Sequence, residues 1–115
     1  MNHPPFINRV HLQGQVSSHP VQKAMNARTN FTTFELSLVE SWDNAEGERR
    51  ERKNRVTIEV VGRDSDMVVE IAKVGAWVTL EGYIRSEIFK GDMHMKVRTL
   101  SIALWEGHVG DRTPG

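Results

Sequence analysis

The 115-residue chain contains no cysteine. A disulfide framework and a thiolate metal site are both excluded, because each requires cysteine sulfur. Long apolar runs are absent too, so no segment reaches the roughly 20 residues that a membrane-spanning helix needs. Residues 1–6 lack the basic-then-apolar order of a signal peptide and the Arg/Ser-rich composition of a transit peptide. These absences predict a cytoplasmic protein with no membrane partner.

An excess of charge of one sign is also missing, since 15 Lys and Arg residues balance 15 Asp and Glu residues. Net charge therefore argues neither for nor against a nucleic-acid partner. The distribution says more, because no acidic residue precedes Glu35, whereas Arg9, Lys23 and Arg28 do. A second basic cluster, diluted by glutamates, comprises Arg49, Arg50, Arg52, Lys53 and Arg55. Such a cluster is typical of either a solvated surface or a phosphate-binding one.

Catalytic and metal-binding motifs are not found. The sequence has no G-x-S-x-G nucleophile motif, no glycine-rich phosphate loop and no paired-carboxylate arrangement. His11, His19 and His94 lack the spacing of metal ligands. The sequence therefore predicts a non-enzymatic protein that uses no metal and no cofactor.

The clearest structural element runs from Gly75 to Gly91, in a chain long enough for one domain with a modest core. Val78, Leu80 and Ile84 share one parity there, with the two-residue period of a half-buried strand. Gly82 occupies the remaining position of that parity. A glycine there is typical of the tight bend that closes a small barrel.

Alternation of apolar and polar residues predicts four further strands, at residues 7–16, 31–42, 53–61 and 94–105. The last of these changes the parity of its inward residues, so a β-bulge is expected near Arg98 or Thr99. Residues 21–30 are polar and irregular, which predicts a long loop.

One helix is predicted over residues 64–74, with Asp64 or Ser65 as its N-cap. Five strands with a helix between the third and the fourth follow the order of the OB-fold, the oligonucleotide- and oligosaccharide-binding barrel. We therefore predict an all-β, five-stranded OB-fold barrel in residues 1–106, with one α-helix between strands 3 and 4. A six-stranded sandwich is the alternative, but it leaves the helix unexplained. Residues 107–115 are predicted to form a short disordered end.

Four pieces of the chain resemble, in order, the strands of the bacterial single-stranded-DNA-binding protein family. N-R-V-H-L-Q-G-Q-V resembles the first strand, F-E-L-S-L-V-E-S-W the second, V-T-I-E-V-V-G-R the third and G-A-W-V-T-L-E-G-Y-I-R the fourth. The resemblance covers about residues 8 to 104. The ending D-R-T-P-G lacks the acidic-hydrophobic tip of the replicative members, so the primosomal replication protein N (PriB) branch is the alternative identity.

The resemblance implies sequence-independent binding of single-stranded DNA in replication, repair or recombination, through base stacking and phosphate contacts. It implies a nucleoid-associated location, and it places stacking aromatics at Trp42 and Phe89. Arg55 stands where the family has a third aromatic. The other candidate nucleic-acid-binding residues are cationic and comprise Lys23, Arg28, Arg50, Arg52, Lys53, Arg85 and Lys90.

The resemblance also implies a homo-oligomer, which we expect to be a tetramer, with a dimer as the alternative. Outward aromatics on the fourth strand would leave an apolar patch on a monomer. In the family a charge pair crosses the subunit interface, and Arg9 and Glu81 align with it. The candidate interface residues are Arg9, His11, Gln13, Trp77, Glu81 and Tyr83. Replication or primosome proteins are further candidate partners.

Two other classes of function stay open at this point. An RNA-binding OB-fold protein of the cold-shock or translation type usually carries aromatic-rich motifs on its second and third strands. The third-strand sequence K-N-R-V-T-I-E-V has no aromatic residue. A structural subunit would use its outward aromatics for assembly alone.

Overall fold

The computed structural model describes residues 2–105. These residues form six strands and one helix, namely β1 (Val10–Val16), β2 (Val21–Ala24), β3 (Asn30–Asp43), β4 (Arg49–Val61), α1 (Arg63–Ile71), β5 (Trp77–Phe89) and β6 (Asp92–Leu104). The strands of this part of the chain pair into one sheet in the order β1-β5-β6-β4-β3-β2. An additional pairing of β1 with β3 closes five of them into a barrel, and β2 lies outside the closed ring. The predicted OB-fold is therefore confirmed.

The core consists of the residues that the alternating pattern directs inward. Its buried members are Val16, Phe34, Leu36, Ile58, Val60, Val68, Ala72, Val78, Leu80 and Val97. Val68 and Ala72 come from α1 and the residue after it, so the helix closes one part of the barrel with its apolar stripe. The helix lies between β4 and β5, which are the third and fourth strands of the five-stranded ring.

Two glycines allow the barrel strands to approach each other. A Cβ atom at Gly14 or Gly82 would lie closer than 3.0 Å to a backbone oxygen, that of Ser37 or of Arg98 respectively. The register next to Gly82 also shifts, because Glu81 pairs with Ser101 whereas Gly82 pairs with Thr99. Leu100 lies between these two partners and is the extra residue of a β-bulge. The bulge was predicted near Arg98 or Thr99, one position earlier.

The prediction of a continuous loop over residues 21–30 is wrong. The short strand β2 forms there and pairs antiparallel with β3 at residues 30–33. The Gln22 Nε2 atom donates hydrogen bonds to Ser65 Oγ (3.1 Å) and Asp66 Oδ1 (2.7 Å) at the start of α1. These contacts hold a polar segment against the barrel, and local composition does not reveal them.

The predicted N-cap of the helix is also wrong. Gly62 occupies the N-cap position, with φ 85° and no side-chain hydrogen bond to the helix. Ser65 is instead fully buried and shares a 2.6 Å hydrogen bond between its hydroxyl and that of Thr32 on β3. A buried hydroxyl requires a partner, so the side chain serves the helix–sheet contact rather than the helix end.

Two hairpins extend from the barrel as exposed arms. We define the β3–β4 arm as residues 39–53 and the β5–β6 arm as residues 85–96. β4 and β6 are parallel neighbours, paired at Ile58 with Val97 and at Glu59 with Arg98. Their first residues therefore lie at the same end of the barrel, and both arms project from that end.

Candidate nucleic-acid interface

The β3–β4 arm divides its predicted binding residues between two faces. Trp42 lies directly opposite Arg50, and Arg52 is two residues after Arg50 on β4. These three side chains therefore share one face of the arm. We call it the Trp42 face. Lys53 and Arg55 have the opposite parity and lie on the other face. The Trp42 side chain is 45% exposed, which leaves much of the indole open to a ligand.

The ion pairs near the tip of this arm are weak competitors for a ligand. Arg50 Nη2 lies 2.8 Å from Glu48 Oε1, and Arg49 Nη1 lies 3.6 Å from Asp43 Oδ1. All four side chains are more than half exposed, and exposed ion pairs contribute little to stability. A phosphate can therefore replace either carboxylate at small cost.

The β5–β6 arm ends in a tight turn that presents an aromatic ring. Lys90 and Gly91 have φ values of 53° and 84°, the positive pair that a two-residue type I′ hairpin requires. Phe89, at the start of the turn, is 60% exposed. The Lys90 Nζ atom lies 5.4 Å from its ring centroid, and the His94 ring lies 6.2 Å away. The turn thus combines a stacking surface with a cation.

A carboxylate surrounded by cations lies where β4, β5 and β6 meet. Glu59 Oε1 accepts hydrogen bonds from Arg98 Nε (2.9 Å) and Nη2 (2.7 Å), and Oε2 accepts one from Lys96 Nζ (3.1 Å). Arg85 Nη1 lies 3.9 Å from Oε1, and Lys96 Nζ also contacts Glu87. Glu59 itself is buried. Three cations therefore face two carboxylates, and the cluster keeps a positive excess.

The charge states of this cluster follow from its contacts. Burial favours the neutral acid and by itself would raise the pKa of Glu59. The hydrogen bonds from Arg98 and Lys96, with their charges, outweigh that effect and lower the pKa below its ordinary value. Burial would likewise lower the pKa of Lys96, but Glu87 and Glu59 together raise it. Both groups are therefore ionised at neutral pH.

Strand alternation places this cluster on the same outward surface as the Lys53 side of the β3–β4 arm. Val97 is buried, so the residues on either side of it in β6 point outward. Lys53 and Arg55 share the parity of Glu59 on the neighbouring strand β4. We call this surface the outer basic strip, and its cations are Lys53, Arg55, Arg85, Lys96 and Arg98. Phe89 shares the outward parity of Arg85 and lies at the end of the strip.

Two of the strip's cations were not among the residues identified from the sequence. Lys96 and Arg98 alternate with inward residues of β6, as many solvated cations do. Glu59, a charged residue within the apolar run of β4, indicates that cationic partners lie nearby. The sequence does not identify Lys96 and Arg98 as those partners, because that depends on the strand order.

The structure separates two predicted binding residues from all the others. Lys23 on β2 lies opposite Phe31, and Phe31 lies opposite Val61 at the end of β4 remote from the arms. Arg28 belongs to the turn between β2 and β3, where its backbone N–H donates to Asn26 Oδ1. Sequence order alone does not show which end of the barrel a residue occupies.

The predicted interface residues cluster on the outward side of β1 and β5. His11 lies opposite Glu81, and Thr79 Oγ1 donates a 2.8 Å hydrogen bond to Gln13 Oε1. Trp77 and Tyr83 share the parity of Glu81 on β5. The Trp77 ring lies 6.5 Å from that of Trp105, an aromatic contact that sequence reasoning missed. Arg9 precedes β1 and is exposed.

The part of the chain that the structure describes contains neither a cluster of candidate metal ligands nor a membrane-spanning helix. Among residues 2–105, no three His, Asp or Glu side chains come together as candidate metal ligands. None of the helical segments in that range is long and apolar enough to cross a membrane.

Comparison with protein families matches residues 7–106 to the single-strand binding protein family. The chain belongs to that family. The match covers both arms, the outer basic strip and the Trp42 face. The predicted family resemblance is therefore confirmed, and the family consists of non-enzymatic DNA-binding proteins. The predicted C-terminal end, residues 107–115, lies outside the described residues.

Three solved structures of single-strand binding proteins share the fold. A Plasmodium falciparum protein in complex with single-stranded DNA is 18% identical, with a TM-score of 0.81 over 92% of this chain and 100% of that one. The wild-type Thermus aquaticus protein is 20% identical, with a TM-score of 0.76 over 88% of this chain. This chain covers 51% of the Thermus aquaticus protein, about half its length.

A small single-stranded DNA-binding protein from Streptomyces coelicolor is 15% identical, with a TM-score of 0.67 over 90% of this chain and 99% of that one. At these identities the structural likeness concerns the fold. No curated protein sequence matches the chain significantly.

Proposed function

We propose that this single-strand binding protein captures single-stranded DNA without sequence preference, in replication, repair or recombination. The observation that carries the proposal is the outer basic strip, which gathers five cations and an exposed phenylalanine on one surface of a chain with no net charge. Cations that follow a phosphate backbone, combined with aromatics on which bases stack, bind single strands of any sequence. This activity requires no catalytic residue.

The proposed interface has two parts, the outer basic strip and the Trp42 face, and each part carries one exposed aromatic residue. Phe89 lies at the end of the outer basic strip, whereas Trp42 lies on the opposite face of the other arm with Arg50 and Arg52. We propose that the strand runs along the strip and continues around the β3–β4 arm onto the Trp42 face. Arg55, at the base of that arm, then contacts a phosphate between the two surfaces.

Changing Trp42 or Arg55 to alanine should weaken binding in two different ways. Trp42→Ala should lower affinity at every salt concentration by about 1–3 kcal/mol, because stacking releases few counterions. Arg55→Ala should reduce the slope of log K against log salt by about 0.7, the value for one phosphate contact on a single strand. The measurement is a salt series with the same labelled oligo-dT for each variant.

Arg63→Ala provides the matched control for Arg55→Ala. Arg63 is an exposed cation on α1, outside the strip, so its loss removes the same charge without a phosphate contact. A slope that changes equally in both variants would show only a general effect of net charge. If Arg55→Ala lowers affinity and keeps the full slope, the guanidinium stacks on a base instead of pairing with a phosphate.

We also propose a homo-oligomer built through β1 and β5, with a tetramer expected and a dimer as the alternative. In the described chain, residues 10–14 of β1 pair only with β5, which leaves their other backbone edge open to a second copy. His11 and Gln13 are exposed residues of that β1 segment, and the exposed Glu81 lies opposite His11 on the neighbouring strand β5. Light scattering at micromolar concentration should return a multiple of 13.1 kDa. The mass of one chain would contradict this assembly.

A further inference from the structure

A slot opens in the barrel wall at the base of the two arms. β4 and β6 pair with each other at two positions within the described chain, Ile58–Val97 and Glu59–Arg98. Toward the arms the two strands diverge, and a cavity of about 370 Å³ lies between them. We call it the barrel-mouth slot. Residues of β1, β4, β5 and β6 all contribute to its lining.

The lining of the slot is apolar in its depth and cationic where it meets the outer strip. Val10, Leu12 and Val56 are partly buried and pack against the core. Ile84 has the parity of the buried Val78 and Leu80, but it is 41% exposed because the slot leaves it uncovered, and Met95 is 61% exposed. The lining contains two charged residues, Arg55 and Lys96, and both belong to the outer basic strip. Lys96 is already paired with two carboxylates, so Arg55 is the cation at the slot that is left for a phosphate.

The walls of the slot also offer backbone hydrogen-bonding groups. In one wall of the slot, residues 55–57 pair with β3 on the side away from the gap. In the other wall, residues 95 and 96 pair with β5. Across the slot these residues do not pair with each other in the described chain. Backbone donors and acceptors that face the gap can therefore bond to a ligand that brings its own polar edge.

We propose that the barrel-mouth slot accepts one unstacked nucleobase of the bound strand while its phosphate stays outside on Arg55. This inference rests on the proposed function and adds a site to it. A base has apolar faces that match the aliphatic walls, and a polar edge that matches the unpaired backbone groups. Methionine adapts to ligands of different shape, so Met95 accommodates purines and pyrimidines alike. Turning out a base that is already single-stranded costs little.

The test compares two glutamate substitutions on the same face of the β5–β6 arm. Met95 lines the slot, whereas Met93 lies two residues nearer the tip, is 64% exposed and does not line it. Met95→Glu and Met93→Glu add the same charge at exposed positions. Met95→Glu should lower the affinity for oligo-dT about tenfold more than Met93→Glu, the loss of one base contact. Matching thermal denaturation curves would establish that both variants fold.

A second readout follows the base itself. In an oligo-dT with regularly spaced 2-aminopurine, binding to the wild-type protein should protect part of the 2-aminopurine emission from acrylamide. That protection should persist in Met93→Glu and fall in Met95→Glu, where only the bases stacked on Trp42 and Phe89 keep some of it. Equal affinity and equal protection in the two variants would overturn the slot while leaving the proposed function intact. If only the oligomeric mass changes in Met95→Glu, a second copy occupies the slot and the inference is wrong.

Failure of the proposed function would look different. A wild-type protein that does not bind oligo-dT at all would overturn both proposals, before either variant is compared.

Discussion

Replacing Glu59 with glutamine is expected to destabilise the barrel by about 3 kcal/mol. Glu59 is 3% exposed and is the common acceptor for Arg98 and Lys96, so its loss leaves Arg98 without a carboxylate and Lys96 with Glu87 alone. Breaking a buried ion pair typically costs about 3–5 kcal/mol. We expect the lower end, since the two cations keep some contact with water. Urea denaturation should show a lower midpoint with an unchanged m-value.

The effect of Glu59→Gln should depend on pH in a defined direction. The pKa of Glu59 is lowered in the folded protein, so the ionised carboxylate stabilises the fold above its unfolded pKa. That stabilisation is lost as the pH falls through the folded pKa. The difference in unfolding free energy between wild type and variant should be constant near neutrality and shrink below about pH 4.

Glu51→Gln is the matched control for this experiment. Glu51 lies on the exposed β3–β4 arm opposite Ser41, and its substitution removes the same charge from the same strand. Its effect should stay within about 0.5 kcal/mol, as is usual for exposed positions. If Glu59→Gln is equally mild, the cluster does not contribute to the stability of the barrel.

Gly82→Ala should be destabilising by about 3 kcal/mol or more, because it obstructs the closure of the barrel. The new Cβ would overlap the Arg98 carbonyl oxygen and lie 3.0 Å from Val97 Cγ1. The first of these atoms belongs to the backbone, so a side-chain rotation cannot relieve the contact. Overpacking of this kind usually costs about 1–3 kcal/mol and sometimes more. The melting temperature should fall by about 12 °C, at roughly 4 °C per kcal/mol for a chain of this size.

Gly47→Ala separates this effect from the general cost of replacing a glycine. Gly47 has φ 79° at the tip of the β3–β4 arm, and an added Cβ there would meet no atom within 4 Å. Its substitution should cost only about 1 kcal/mol, the penalty of a left-handed conformation. Equal losses in the two variants would show that close packing at Gly82 is not what limits closure.

The sequence predicted the elements of the barrel well because each is a local pattern. Two-residue alternation identified the five strands of the ring, and Gly82 with the parity change marked the bend and the bulge. The short strand β2 escaped prediction because Gln22 holds it against α1 through contacts that its own composition does not encode. Ser65 escaped for a similar reason, since its buried partner Thr32 is distant in the sequence.

The sequence predicted which residue types the candidate interface contains, but not how they are arranged. Strand pairing puts Trp42 and Arg55 on opposite faces of one arm and sends Lys23 to the other end of the barrel. A list of basic and aromatic residues does not contain this information, because it depends on register and strand order. The barrel-mouth slot depends on the same facts, since it exists only where two parallel strands diverge.

A competition titration distinguishes binding of single-stranded DNA from binding of any polyanion. Labelled oligo-dT bound to the wild-type protein is challenged with unlabelled oligo-dT, duplex DNA and single-stranded RNA of equal length. Two stacked bases, at about 1 kcal/mol each, predict that single-stranded DNA competes at least about thirtyfold better than the duplex, whose bases cannot reach Trp42 and Phe89. Equal competition by the duplex would reduce the interface to charge alone. Stronger competition by RNA would contradict the assignment to DNA.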